Sequence, residues 1–140
     1  MLEGVNMAEK VVRTDEEWKS ALTRDEYVVM RRRGTEPPFS GKYYNFKDKG
    51  IYRCAACAND LFSSKAKFDS GSGWPSFVEP VSSQAVGERK DDSYGMVRTE
   101  VVCARCDSHL GHVFEDGPPP TGLRYCINSV ALRFAPEDQP

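Results

Sequence analysis

The chain has 140 residues, 39% of them hydrophobic, and a formal net charge of −2, a size typical of one globular domain whose core can support a cleft. The slightly acidic balance argues against a nucleic-acid-binding protein, which needs a basic face, and the sequence contains no apolar run long enough to span a bilayer. We therefore expect a soluble protein with neither nucleic-acid nor membrane partners.

The N-terminus, MLEGVNMAEK, lacks the apolar segment of a secretory signal, and a cytoplasmic location is expected on that ground. Met7 is a second candidate start, so residues 1–6 are interpreted as an added extension without bearing on the fold. We expect residues 1–13 to form an N-terminal tail, residues 14–135 the functional domain and residues 136–140 a C-terminal tail.

Two short helices are predicted after this tail, each opened by a capping box. In TDEE, Thr14 and Glu17 can exchange hydrogen bonds with each other's backbone amides, and Thr23 and Glu26 repeat the arrangement in TRDE. Gly34 is predicted to cap the second helix. The run of arginines at residues 31–33 is interpreted as a solvated helix end without a function.

Beyond the irregular stretch TEPPFSGKYY, the chain has the composition of β structure. Six segments are rich in β-branched and aromatic residues: IYRCA, AKFDS, SFVEPV, YGMVRTEVVCA, HLGHVF and RYCINSVALRFA. Clusters of Gly, Pro, Asp and Ser separate them, including the stiff loop EDGPPPTG before the last segment. The pattern predicts an antiparallel β domain with an N-terminal helical cover.

Four of the five cysteines form two Cys-x-x-Cys pairs, Cys54 with Cys57 and Cys103 with Cys106. Two such turns can supply four thiolates to one tetrahedral zinc ion. The alternatives are redox disulfides or coincidentally buried cysteines, and structural disulfides are rare in reducing compartments. Four sulfur ligands leave no position for water or substrate, so the predicted zinc is structural.

Both histidines of the chain lie in HLGHVF, and Trp74 lies between two turns in GSGWPSF. A histidine can protonate a leaving oxygen or stabilise a thiolate, although a single histidine is more often structural. Strand alternation would place His109 and His112 on opposite faces. If both serve one site, Gly111 should mark a β-bulge that turns one of them.

The fifth cysteine, Cys126, has no partner and lies in a predicted strand. Alternation places Arg124, Cys126 and Asn128 on one face, and a nearby cation would raise the thiolate fraction of the cysteine. Alternatively, Cys126 is a small buried hydrophobe and Asn128 only satisfies a neighbouring backbone group. The same face is predicted to continue through Val130, Leu132 and Phe134.

Four long motifs resemble the B-type methionine sulfoxide reductases, over a region from about Trp18 to Phe134: GTEPPFSGKYYNFKDKGIYRCAAC, FDSGSGWPSF, HLGHVFEDGP and GLRYCINSVALRF. Members of this family reduce the R epimer of methionine sulfoxide, a repair reaction of the methionine oxidation ladder. The resemblance implies a mainly β, zinc-stapled single domain of two antiparallel β-sheets with short N-terminal helices. It also implies protein repair in the response to oxidative stress.

The resemblance also implies roles for individual residues. Cys126 matches the catalytic cysteine, and the two Cys-x-x-Cys pairs match the ligands of one structural zinc ion per chain. The positions that line the family's substrate site are matched by Trp74, His109, His112, Phe114, Arg124 and Asn128.

In the implied mechanism, the Cys126 thiolate attacks the sulfoxide sulfur and His112 protonates the departing oxygen, which His109 and Asn128 orient. Trp74 and Phe114 cradle the methyl group of the substrate. Methionine then leaves and the cysteine becomes a sulfenic acid.

The chain departs from the pattern at Ser72, where many family members carry a resolving cysteine. A serine hydroxyl cannot condense with the Cys126 sulfenic acid, so recycling is expected to use an external thiol. The candidates are a thioredoxin-like protein, which we favour, a glutathione and glutaredoxin route, or a small reductant. Free and protein-bound methionine-R-sulfoxide are both possible substrates.

The alternative functions are a binding module, a zinc ribbon and a zinc deaminase. A zinc-stapled binding module would capture a small ligand or peptide in a pocket beside Trp74 without changing it. A zinc ribbon that contacts nucleic acid is disfavoured by the charge. A zinc deaminase is disfavoured because its His-x-Glu and ligand pattern is absent from the sequence.

Overall fold

The computed structural model describes residues 10–137, which form two short α-helices followed by nine β-strands. The proposed added extension at residues 1–6 lies outside the described residues, as does most of the predicted C-terminal tail. Neither helix in the described part of the chain has the length or apolar character of a membrane span.

The N-terminal cover consists of helix α1, Asp15–Ala21, and helix α2, Arg24–Arg31. Both predicted capping boxes are confirmed. The Glu17 amide donates to Thr14 Oγ1 at 3.1 Å and the Thr14 amide donates to Glu17 Oε1 at 2.8 Å, with matching bonds between Thr23 and Glu26. These bonds satisfy amides that the first turn of a helix leaves without partners.

The end of α2 differs from the prediction. The Gly34 amide does close the helix, donating to the Val28 carbonyl at 3.0 Å, but the left-handed residue is Arg33, with a φ of 59°. The solvated-end interpretation of the arginine run is wrong as well. Arg31 donates to the Cys106 carbonyl at 2.7 Å, and Arg33 pairs with two buried carboxylates described below.

The strands form two antiparallel sheets, which confirms the predicted mainly β fold with short N-terminal helices. The smaller sheet has the order β2-β1-β9 and the larger has the order β3-β4-β8-β7-β6-β5. The strand bounds are β1 Gly50–Cys54, β2 Asp60–Ser63, β3 Lys67–Phe68, β4 Ser76–Phe77, β5 Val86–Asp91, β6 Arg98–Cys103, β7 His109–Phe114, β8 Arg124–Ile127 and β9 Leu132–Pro136. Short 3-10 turns occupy Ser64–Ala66, Ser93–Gly95 and Ser129–Ala131.

Aromatic side chains from both sheets meet in the core. Phe62 on β2 stacks on Phe77 of β4 with ring centroids 4.4 Å apart, and Tyr52 on β1 meets Phe77 edge-on at 5.2 Å. These three rings are fully buried. Their contacts hold the smaller sheet against the larger one.

Two strands, β2 and β5, were not predicted. β5 forms an edge of the larger sheet and exposes Glu88, Arg89 and Lys90 in succession, so it lacks the apolar alternation by which strands are recognised.

The prediction of one long strand from residue 124 to residue 135 is wrong, because β8 and β9 belong to different sheets. Val130, Leu132 and Phe134 therefore do not continue the face of Cys126. The break is stabilised by the buried Glu36 carboxylate, which accepts hydrogen bonds from the amides of Ser129 and Val130, each at 2.9 Å.

Candidate active site and metal centre

A cavity of about 420 Å³ lies against the larger sheet. It is lined by Thr35, Ser72, Trp74, Arg98, Gly111, His112, Phe114, Arg124, Cys126 and Asn128. Six of the seven residues predicted for catalysis and substrate binding are among them. The seventh, His109, is 3% exposed and lies outside the lining.

Strand β8 places Cys126 in this cavity. Its alternate residues Tyr125 and Ile127 are buried in the core, which turns Cys126 to the opposite face. In the sheet register, Cys126 is paired with His112 on β7 and with Ser76 on β4. Cross-strand partners share a face, so the thiol lies between an imidazole and a hydroxyl group.

The environment of Cys126 favours the thiol over the thiolate. Burial raises the pKa of the Cys126 thiol above its ordinary value, and this effect outweighs the Arg124 charge and the Ser72 hydrogen bond, which lower it. Arg124 therefore lowers the pKa of the thiol, as predicted, but by less than burial raises it. At neutral pH the thiolate is a minor species, and deprotonation must accompany attack on a substrate.

Alkylation of Cys126 should depend on pH accordingly. We expect the rate of its reaction with iodoacetamide to continue rising above pH 9.0, the ordinary value that burial exceeds. Arg124→Gln should shift the profile to still higher pH, because the lost cation stabilised the thiolate. Mass spectrometry of the Cys126 peptide measures the rate, and Arg133→Gln, an exposed change on β9, is the control. A midpoint at or below pH 9.0 in the parent protein would contradict the burial argument.

Arg124 is held in place by two neighbours. Its guanidinium donates to both carboxylate oxygens of Asp116, at 2.9 and 3.2 Å, and lies 4.5 Å from the ring centroid of Phe114. The arginine holds the pKa of Asp116 below its usual range. The bidentate bond and the aromatic contact together fix the guanidinium at one wall of the cavity.

The predicted β-bulge is present in β7. Val101 of β6 is paired with Gly111 and Val102 with His109, so Leu110 is the extra residue. The bulge brings His109 and His112 to within 5.4 Å between ring centroids. Glycine is needed here because a Cβ at position 111 would collide with the Cys126 carbonyl oxygen.

Each histidine is paired with a buried carboxylate that was not predicted. His112 Nε2 lies 2.7 Å from Asp91 Oδ2, and His109 Nδ1 lies 2.7 Å from Glu100 Oε2. Burial lowers the pKa of His109, and so favours the neutral imidazole. The hydrogen bond from His112 holds the pKa of Asp91 well below its usual range.

A third unpredicted acidic residue, Glu36, holds two of the lining residues, Trp74 and Asn128. Its backbone amide donates to Asn128 Oδ1 at 2.9 Å, and its carbonyl accepts from Trp74 Nε1 at 3.0 Å. The Asn128 amide group also donates to the Leu110 carbonyl at 3.0 Å. Asn128 thus satisfies backbone groups, as its structural alternative predicted, and still lines the cavity.

No site role was predicted for Thr35, Glu36, Asp91, Arg98 or Glu100. Thr35 and Glu36 lie inside the motif GTEPPFSG, where an acidic residue before two prolines was the available signal. Ser72 was noted as a departure from the family pattern, and it does line the cavity.

The four paired cysteines converge at the C-terminal ends of strands β1 and β6. Their sulfur atoms all lie within 4.8 Å of one another, with Cys54–Cys106 at 3.7 Å and Cys57–Cys103 at 3.5 Å. A tetrahedral zinc ion with bonds of about 2.3 Å requires sulfur separations of roughly 3.8 Å. The four residues therefore fit a single metal ion.

Both Cys-x-x-Cys segments have the same turn. The Ala58 amide donates to the Cys54 carbonyl at 2.8 Å, and the Asp107 amide donates to the Cys103 carbonyl at 2.9 Å. Ala58 and Asp107 both adopt left-handed backbone conformations, with φ of 67° and 62°. The doubled sequence motif is thus a doubled turn that points its sulfur atoms inward.

Comparison with known proteins finds one matching family model and several similar proteins that share one name. The SelR domain matches residues 22–136, which include every residue lining the cavity and all four clustered cysteines. A Pseudomonas fluorescens protein named peptide methionine sulfoxide reductase MsrB is 62% identical over 128 residues, 91% of this chain and 98% of that protein.

Proteins of the same name from Thiobacillus denitrificans and Methanosarcina barkeri are each 60% identical. The first alignment covers 126 residues, 90% of this chain and 96% of the relative, and the second covers 134 residues, 95% and 94%. The chain therefore belongs to the MsrB family of peptide methionine sulfoxide reductases.

Proposed function

We propose that this protein is an oxidoreductase that reduces methionine-R-sulfoxide, free or in proteins, to methionine, with Cys126 as the nucleophile. The observation that carries the proposal is the position of the fifth cysteine. Four cysteines belong to the sulfur cluster, whereas Cys126 lies in the cavity, beside His112 in the sheet register and under the influence of the Arg124 charge. Family membership supports this chemistry over a binding module.

The reaction begins when the Cys126 thiolate attacks the sulfoxide sulfur. A bond forms between the two sulfur atoms as the oxygen takes up two protons and leaves as water. Water then cleaves the sulfur–sulfur bond, releasing methionine and leaving a sulfenic acid on Cys126. The substrate sulfur gains two electrons and the cysteine sulfur loses two.

His112 is the proposed proton donor to the departing oxygen. It lines the cavity and its Nε2 is engaged by Asp91, so the proton must come from Nδ1 of the doubly protonated ring. The neutral ring left after donation keeps its proton on Nε2. General acid catalysis of this kind contributes roughly 10²–10⁴ in rate. His109 supports His112 by ring contact from outside the cavity lining. Asn128, which lines the cavity, is proposed to orient the substrate oxygen.

Trp74 and Phe114 are proposed to hold the methyl group of the substrate. Both line the cavity, and Phe114 is covered on one side by Arg124. The sulfoxide sulfur is a stereocentre, so fixing its methyl group and its oxygen at separate subsites leaves one direction for thiolate attack. This arrangement selects one epimer.

Recycling is proposed to use an external thiol, with a thioredoxin-like protein favoured. One thiol condenses with the sulfenic acid, releasing water and forming a mixed disulfide, and a second thiol restores Cys126 and yields the oxidised reductant. The support is the side chain at position 72. It lines the same cavity as Cys126 and lowers the pKa of its thiol, and a hydroxyl cannot resolve a sulfenic acid.

A single turnover tests this scheme. Without reductant, the protein should convert about one equivalent of the R epimer and accumulate Cys126 sulfenic acid, trapped by dimedone and detected by mass spectrometry. Ser72→Cys should instead accumulate a disulfide between positions 72 and 126. Ser83→Cys, an exposed change outside the cavity, is the matched control and should still trap as sulfenic acid.

Two results would overturn the scheme. An internal disulfide to Cys126 in the parent protein would mean that a clustered cysteine resolves the sulfenic acid. A Ser72→Cys variant that shows only sulfenic acid would contradict the proximity of positions 72 and 126.

The sulfur cluster is proposed to hold one structural zinc ion per chain. Four thiolate ligands complete a tetrahedral coordination sphere, which leaves no position for substrate, and the cluster is separate from the cavity lining. We also propose a role in the repair of oxidised proteins during oxidative stress. A cytoplasmic location stays a prediction from the sequence.

A further inference from the structure

Behind the cavity, the larger sheet contains two buried acidic side chains. Asp91 ends strand β5 and is 5% exposed, and Glu100 lies on neighbouring strand β6 and is 3% exposed. Each carboxylate holds one histidine of β7 at 2.7 Å. Two negative charges so buried destabilise a fold unless cations and hydrogen bonds compensate for them.

Arg33 bridges the two carboxylates from the N-terminal cover. Its Nη2 atom lies 3.5 Å from Asp91 Oδ1 and 3.3 Å from Glu100 Oε1. The other oxygen of each carboxylate contacts a histidine, Asp91 Oδ2 at His112 and Glu100 Oε2 at His109. Each carboxylate therefore lies between Arg33 and one imidazole ring. Arg98 adds a second cation at Asp91, with Nη2 at 3.3 Å from Oδ2.

The backbone of Arg33 has the left-handed conformation that arginine rarely adopts. Glycine would adopt a φ of 59° at lower cost. A bulky residue in this conformation beside two buried carboxylates indicates that the guanidinium position matters more than local backbone preference.

In each pair, a carboxylate oxygen can accept the hydrogen bond that a ring N–H donates. With Asp91 as acceptor the proton lies on His112 Nε2, and with Glu100 as acceptor it lies on His109 Nδ1. Arg33 Nη2 contacts the oxygen of each acid that does not face the histidine, so the other oxygen is turned to the ring. Without Arg33 each acid loses its contact with the N-terminal cover, its accepting oxygen is held less firmly, and the preference of His112 for a proton on Nε2 weakens.

We propose that Arg33 is a positioning residue for the reduction: by bridging Asp91 and Glu100, it fixes the ring orientation and tautomer of His112 in the cavity. The proposal rests on the proposed function of His112 as proton donor. Arg33 itself does not line the cavity and acts through the carboxylates.

The test compares Arg33→Gly, Arg33→Lys and Arg32→Ala. Glycine removes the guanidinium while suiting the left-handed backbone, so the change does not add strain. We expect kcat for the R epimer to fall about 10- to 100-fold in Arg33→Gly with KM within twofold, by analogy with the range for residues that orient metal-binding histidines. Arg33→Lys should recover part of the loss, and Arg32→Ala, an exposed neighbour, should match the parent protein.

Nitrogen-15 NMR of the imidazole rings at alkaline pH separates positioning from general destabilisation. The parent protein should show His112 protonated on Nε2, whereas Arg33→Gly should show a mixture of tautomers. An unchanged tautomer would overturn the proposal, as would an unchanged kcat or a loss confined to KM.

The two proposals can fail separately. If the parent protein does not consume the R epimer, the proposed function fails, while the tautomer comparison still decides the role of Arg33. If Arg33→Gly does not fold, the comparison of tautomer and kcat in Arg33→Gln decides the proposal, because glutamine keeps most of the side-chain stem and removes the charge. A glutamine variant identical to the parent in both would overturn it, because Arg33 Nη2 is the atom that contacts both acids.

Discussion

Replacement of Cys126 with serine is expected to abolish methionine sulfoxide reduction, leaving less than about 0.1% of the parent rate. The substitution keeps the size of the side chain and removes its chemistry, because a hydroxyl has no accessible anion at neutral pH and does not form a sulfenic acid. Cys126 is the one cysteine of the chain outside the sulfur cluster. Another cysteine could act as the nucleophile only if it left that cluster.

The assay uses racemic N-acetyl-methionine sulfoxide with excess dithiothreitol, and chiral chromatography follows both epimers. The parent protein should consume the R epimer and leave the S epimer. Metal content and thermal unfolding of Cys126→Ser should match the parent, which shows that the loss is chemical. Should the parent consume neither epimer while its metal remains bound, the binding-module alternative would replace the enzyme.

Removal of the proposed zinc ion is expected to have the largest effect on stability. The two Cys-x-x-Cys turns join the end of β1, in the smaller sheet, to the end of β6, in the larger. Apparent binding energies of roughly 10–16 kcal/mol in zinc-finger peptides equal or exceed the total stability of a typical domain, about 5–15 kcal/mol. Stripping the metal should therefore lower Tm by more than about 20 °C or abolish cooperative unfolding.

Elemental analysis should find about one zinc ion per chain, and calorimetry with and without a strong chelator measures the change in Tm. Cys54→Ser, which removes one buried ligand, should reproduce the effect of the chelator. Cys126→Ser is the matched cysteine-to-serine control and should retain both zinc and Tm. A metal-free protein with the parent Tm, or disulfides within the cluster, would show that metal does not staple the sheets.

Local sequence determined those features whose partners are close in the chain. The capping boxes join residues three apart, so Thr14 with Glu17 and Thr23 with Glu26 predicted the starts of both helices. The Cys-x-x-Cys spacing likewise predicted the paired turns, and β8 alternation predicted that Arg124 and Cys126 share a face. The His109–His112 spacing predicted a bulge at Gly111 if both histidines serve one site, and β7 contains a bulge beside that glycine.

Tertiary structure alone decided what depends on distant partners. His112 meets Asp91 across 21 positions of sequence, and Glu36 reaches Ser129 across 93, so no local pattern reveals either contact. The Glu36 bonds lie where β8 ends after Ile127 and the following segment enters the other sheet, contrary to the continuous strand that propensity predicted.

The reactivity of the site also depends on the folded environment. A sequence shows that a cation lies two residues from Cys126, but only the packed structure shows that burial outweighs that cation and raises the pKa of the thiol. In the same way, three consecutive arginines have the pattern of a solvated helix end until the fold brings Asp91 and Glu100 to Arg33. The sequence therefore predicted the thiol, imidazole and guanidinium groups of the site. Tertiary contacts added the buried carboxylates and decided the protonation and orientation of these groups, because both depend on desolvation and on charges that the fold brings together.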